Sequence, residues 1–75
     1  LILYEVSGSM TVQLDIFSTT GQKVKSLVNG IIPAGQHRAL WDATDEAGNA
    51  VSSGGYLCRM QSGGRTIIRK MLLVR

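Results

Sequence analysis

Apolar and polar residues alternate with a period of two through most of the chain, and no useful window repeats apolar residues at the i, i+3, i+4, i+7 spacing of a helix. LILYEV (1–6) reads as a first strand and SGSM (7–10) as a turn. TVQLDIF (11–17) alternates cleanly, with Val12, Leu14 and Ile16 on one face and Thr11, Gln13 and Asp15 on the other, as in an antiparallel strand buried on one side. STTG (18–21) turns the chain into QKVKSLV (22–28), the hairpin partner, with Val24 inward and Lys23 and Lys25 toward water. Asn29-Gly30 is a further turn signal, and IIPAG (31–35) reads as a loop because its proline cannot donate to a central ladder.

QHRALW (36–41) is the next strand, with His37, Ala39 and Trp41 sharing a face. DATDEAGN (42–49) breaks the pattern, Ala50-Val51 can pair briefly, and SSGG (52–55) leads into YLCRMQ (56–61), with Tyr56, Cys58 and Met60 inward. SGG (62–64) turns the chain into a last strand, RTIIRKMLLVR (65–75), whose MLLV end is apolar on both faces. Such a run is covered on both sides or meets another surface. Its two faces are not separable by pattern, because Ile67, Arg69, Met71 and Leu73 on one side and Ile68, Lys70, Leu72 and Val74 on the other each carry one charge. Six strands, or seven with 50–51, with a turn every 8–12 residues, predict an all-β sandwich or barrel. The expected core is Val12, Leu14, Ile16, Val24, Trp41, Tyr56, Cys58 and Met60.

At 75 residues the chain is one small domain with a modest core, so a neighbouring domain would help to hold it. Cys58 is the lone cysteine, which excludes an internal disulfide and a C-x-x-C zinc or redox site. The sequence starts at Leu1 without a leader, as expected for a piece of a longer chain or a processed product. No apolar run approaches the roughly 20 residues that span a bilayer as a helix. The net charge is +3, and Arg65, Arg69, Lys70 and Arg75 crowd into the last eleven residues, which hold no acid. With few aromatics and no nucleic-acid-binding pattern, this cluster reads as a solvated strand edge or as a surface for a protein partner, not as a nucleic-acid site.

The segment 42–49 is the one place where chemistry is in question. Asp42, Asp45, Glu46 and Asn49 supply hard oxygens of the kind calcium takes, but their spacing fails the EF-hand pattern, and Asp and Asn beside Gly48 equally make Asx-turns at a strand corner. The corner reading is preferred. Asp45 and Glu46 are adjacent on an open loop with nothing apolar to raise a pKa for acid–base work. His37 has no nucleophile and orienting acid at recognisable spacing, and Ser52 and Ser53 lack a G-x-S-x-G elbow. His37 reads as a rim residue bonded to a carbonyl, Cys58 as a small core residue, and Trp41 as core rather than a sugar platform. The sequence therefore assigns no catalytic residue, no metal and no cofactor.

Three blocks, taken in order, resemble the Ig-like domain of the flagellar hook-cap scaffolding protein FlgD and the similar C-terminal sorting domains of type IX secretion substrates. The first is I-x-Y-x-V (Ile2, Tyr4, Val6) and then V-x-L-x-I-F-x-x-x-G-x-x-V from Val12 to Val24. The second is P-A-G-x-H-x-x-x-W-D (Pro33 to Asp42), D-E-A-G-N-x-V and S-G-x-Y (Ser53 to Tyr56). The third is R-K-M-L-L-V-R (Arg69 to Arg75). Gly55 and Cys58 depart from the family, which commonly carries a bulky and an aromatic residue there, and both thin the expected core. The resemblance implies a non-catalytic, Ig-like antiparallel sandwich, the C-terminal domain of a larger exported protein, secreted or at the cell surface. Its implied role is a sorting or anchoring appendage whose partner is protein. Arg69, Lys70, Met71, Leu72, Leu73, Val74 and Arg75 are then the candidate recognition residues, open to pairing by strand addition. A structural module of an extracellular assembly, as in a hook cap, and an accessory module of a secreted hydrolase are the alternatives.

Overall fold

The computed structural model describes residues 2–74. Six strands follow in chain order: β1 (Ile2–Val6), β2 (Met10–Ser18), β3 (Lys23–Ile32), β4 (Gly35–Ala39), β5 (Gly54–Ser62) and β6 (Arg65–Leu73). Two antiparallel sheets result, β1-β4 and β3-β2-β5-β6, and together they form a small Ig-like β-sandwich. Candidate residue Arg75 lies outside the described residues.

Alternation places the core. Val12, Leu14 and Ile16 of β2 are buried, as are Tyr56 and Cys58 of β5. Leu14, Ile16, Tyr56 and Cys58 form one cluster, against which Ile2 and Tyr4 of β1, Ala39 of β4, and Met71 and Leu73 of β6 pack. Val24, Trp41 and Met60 also pack on it and are half-buried. Within the larger sheet the two central strands carry the buried residues and the outer strands cover them in part; from the smaller sheet Val6, at the end of β1, is buried as well. Gly55 does not thin this core. It pairs with Leu72, and a Cβ there would meet Thr19 Cγ2 at 3.2 Å and Lys70 Cε at 3.9 Å, on the face turned away from the other sheet.

Local chemistry sets the turns. Ser62 pairs with Arg65, leaving Gly63 and Gly64 as a two-residue connection with φ of 55° and 78°. Positive φ at both central positions is what a type I′ hairpin turn requires, and its twist matches that of the strands it joins. Between β2 and β3 the connection is 19–22: Ser18 N–H donates to the Gln22 carbonyl at 2.8 Å, and Gly21 N–H to the Ser18 carbonyl at 3.0 Å.

Several expectations are corrected. β3 does not stop at Asn29-Gly30 but runs to Ile32, because Gln13, Val12, Thr11 and Met10 continue the ladder opposite Asn29, Gly30, Ile31 and Ile32. Pairing outweighs local turn propensity here, and Pro33, lacking an N–H, follows directly. β4 ends at Ala39, opposite Ile2, so Leu40 and Trp41 run on beyond it. β5 begins at Gly54, two residues ahead of the expected strand 56–61, and ends at Ser62. The brief pairing near 50 is a single bridge, Thr44 to Ala50. Asp15, expected on a solvated face, is 3% exposed: Lys23 Nζ and Arg59 Nη2 each lie 3.8 Å from its carboxylate, and Arg59 covers the Phe17 ring at 4.4 Å. Lys25 does not point to water. The β2–β3 register shifts between Leu14 and Asp15 and again between Ile16 and Phe17, which sets Lys25 opposite the inward residue Ile16.

Candidate functional site

The corner at 42–49 is built from its own hydrogen bonds. Asp45 Oδ1 accepts from the N–H groups of Ala47 (3.0 Å) and Asn49 (2.9 Å), an Asx-turn, while Asp45 N–H donates to the Asn49 carbonyl at 2.9 Å. Asp42 Oδ1 accepts from the Thr44 hydroxyl at 2.5 Å and the Thr44 N–H at 3.2 Å. Lys25 Nζ donates to Thr44 Oγ1 at 2.8 Å and lies 3.5 Å from Asp42 Oδ1. The Thr44 hydroxyl bond, helped by the Lys25 charge, holds the Asp42 carboxyl below its ordinary value against a smaller opposing effect of desolvation. Ala43, between them, takes a left-handed φ of 63°, a conformation fixed by the bonds on either side of it.

Glu46 does something its neighbours in sequence do not reveal. Its N–H donates to the Val24 carbonyl at 3.1 Å, and its Oε1 accepts from the Ser26 N–H at 2.5 Å. The corner therefore docks on the outer edge of β3. Trp41 fastens it from within, donating its indole N–H to the Thr44 carbonyl at 2.9 Å and meeting Tyr56 edge to face at 5.1 Å. Tyr56 in turn donates its hydroxyl to the Ser52 carbonyl at 2.6 Å, four residues upstream, in the manner of a tyrosine corner. The oxygens of Asp42, Asp45 and Glu46 are thus turned to the protein's own donors. Among the described residues no group of three or more His, Cys, Asp and Glu side chains is placed to hold a metal ion. The backbone of Asn49 closes the Asx-turn.

His37 shares a 2.8 Å hydrogen bond with the Pro33 carbonyl, as donor, and stacks on Tyr4 at 5.5 Å. Burial, with the negative charge of Asp15 as a lesser cause, pushes the Cys58 thiol up, opposite to what a nucleophilic cysteine needs.

The candidate recognition strand has a different character. β6 is an edge of the larger sheet, joined to β5 by an unbroken register from Ser62–Arg65 to Gly54–Leu73. Ile67, Arg69, Met71 and Leu73 stand on the side of Met60, Cys58 and Tyr56, and that face is the inward one. Met71 and Leu73 are half-buried, but Ile67 and Arg69 are exposed although they face the other sheet. Ile68, Leu72 and Val74 are 54%, 77% and 77% exposed, so the MLLV end is covered on one side only. Along the seam between β6 and β1 lie three clefts, of about 310, 300 and 180 Å³. The middle one is walled by Ile2, Leu14, Cys58, Met60, Ile67 and Arg69, among others.

Strands β2 to β5, the Trp41–Tyr56 plug and the docked corner fall within a match to the family model described as the FlgD Ig-like domain, over residues 4–65. The chain belongs to the FlgD Ig-like domain family. No curated protein and no solved structure matches it. The family match ends at Arg65, the first residue of β6, so the recognition residues from Arg69 onward follow the matched segment. No helix among the described residues is long and apolar enough to cross a membrane.

Proposed function

We propose that this FlgD-type Ig-like domain is a non-catalytic protein-interaction module of a larger exported protein, and that β6 is the strand its partner reads. The observation that carries this is the contrast in what the side chains are used for. The acids of the corner, His37 and Tyr56 are spent on internal hydrogen bonds, and Cys58 is buried with a raised pKa, whereas β6 offers a free-edged, basic, partly apolar strand. Family membership favours a structural module in an extracellular assembly of the hook-cap kind. The sorting or anchoring role uses the same strand and differs in the partner, which is then the secretion machinery.

The test is site-specific photo-crosslinking in the full-length protein in its own cells. A photoreactive residue at Leu72, which is 77% exposed on β6, is expected to capture a partner protein, and one at Asn29 on β3 is not. Capture from Asn29 with none from Leu72 overturns the reading. The identity of the captured chain, assembly subunit or secretion component, decides between the two roles.

A further inference from the structure

We propose that β6 and the seam beside it take up an extended acidic segment of another protein as an added strand. The segment's apolar side chains enter the clefts between β1 and β6, and its carboxylates meet Arg65, Arg69 and Lys70. This rests on the reading of β6 given above and specifies the chemistry of the partner.

The geometry comes from the strand itself. β6 pairs with β5 through an uninterrupted register, and an unbroken edge strand presents a regular row of backbone N–H and C=O groups on its other side. Its inward row lacks cover at one place. Ile67, 37% exposed, and Arg69 stand at the 300 Å³ cleft, which reaches in to the buried Leu14 and Cys58 and the half-buried Met60, so an inward side chain of a further strand would find apolar walls there. An apolar side chain at the inward position of an added strand has this cleft to fill, which is how strand addition gains specificity beyond its backbone bonds.

Charge names the occupant. From residue 65 to 75 the sequence holds four cations and no acid. A second copy of the chain, pairing β6 to β6, would set Arg65, Arg69 and Lys70 of both copies in one ribbon, and like charges facing each other across strands destabilise pairing. Arg69 and Lys70 are consecutive and so point to opposite faces. A partner strand with two adjacent acids satisfies both at once, one inward at the mouth of the cleft and one outward. The expected segment is therefore two neighbouring carboxylates flanked by alternating apolar and small polar residues.

The experiment uses the 75-residue chain and labelled ten-residue peptides followed by fluorescence anisotropy. The probe is Thr-Val-Thr-Val-Glu-Asp-Val-Thr-Val-Thr; one control carries Lys-Lys in place of Glu-Asp, and another is N-methylated at alternate backbone nitrogens. The acidic probe is expected to bind about tenfold tighter than the dilysine control. N-methylation should abolish binding, and R69E/K70E should reverse the preference at unchanged melting temperature. Equal binding of the acidic and dilysine peptides, or of the N-methylated one, overturns the proposal by showing plain charge attraction. Concentration-dependent dimers of the chain broken by a charged residue at Ile68 overturn it in favour of self-pairing. If no peptide binds while the Leu72 crosslink still captures a partner, this inference fails and the interaction module stands; if the crosslink also fails, both fall.

Discussion

The larger sheet has two edges, and they are treated in opposite ways. β3 is broken in register at two places, and the corner at 42–49 lies against it, with Glu46 bonded to Val24 and Ser26 and Lys25 drawn to Asp42 and Thr44. Irregularity and a covering loop are standard protections against unwanted strand pairing. β6 is regular over its length, and the one protection it shows is charge. Charge blocks pairing with like partners and leaves pairing with opposite ones open. The acids that a metal-site reading would single out are thus part of the means by which the first half of the β3 edge is covered, while the β6 edge is selective rather than sealed.

The sharpest way to break this contrast is to remove what both edges share. Ile16 pairs with Lys25 of β3 and Cys58 of β5 and is fully buried. Ile16→Ala should cost about 2–5 kcal/mol in urea unfolding and loosen both edges together. Glu46→Ala separates them: stability falls by about 1 kcal/mol, and hydrogen exchange of the Ser26 amide speeds up while β6 amides do not change. Ala43→Gly relieves the left-handed φ at the corner and should raise stability by about 1 kcal/mol, measured as a higher melting temperature.

The double charge reversal of Arg69 and Lys70 should move stability by no more than about 0.5 kcal/mol in the same melt, because both side chains are exposed. The smallest effect is in pH. The folded-state pKa of Asp42 is lowered, so its contribution is complete above the ordinary carboxylate range and is lost as pH falls through that range toward the lowered value. The protection of the amides around residues 24–26, taken relative to their intrinsic exchange rates, should fall on acidification in wild type, less in D42N, and β6, which has no carboxylate, should lack this response.

Much of this fold is legible in the sequence. Clean alternation in 11–17 and 56–61 marks the two strands that carry the core, and the D-x-x-G-N spacing marks the Asx-turn made by Asp45. What was hidden depends on register between distant segments. Nothing local says that Glu46 reaches Ser26, twenty residues away, or that bulges in the β2–β3 ladder turn Lys25 inward. The burial of Asp15 follows from Arg59 standing opposite it in β5, a pairing no single-strand pattern encodes. In β6 the two rows are equally apolar as sequence, and the position of β1 decides between them.

The turn at Gly63 and Gly64 leaves the chain no slack between β5 and β6. A tether this short lets the last ribbon peel outward and reseat, but it cannot reach across to a second molecule unless the turn itself straightens into a hinge. It is the relaxed closed turn of the two glycines, not its shortness, that disfavours exchange of that ribbon between copies, and a bulky, β-branched residue at either glycine, straining the short loop, would be the change most apt to release it.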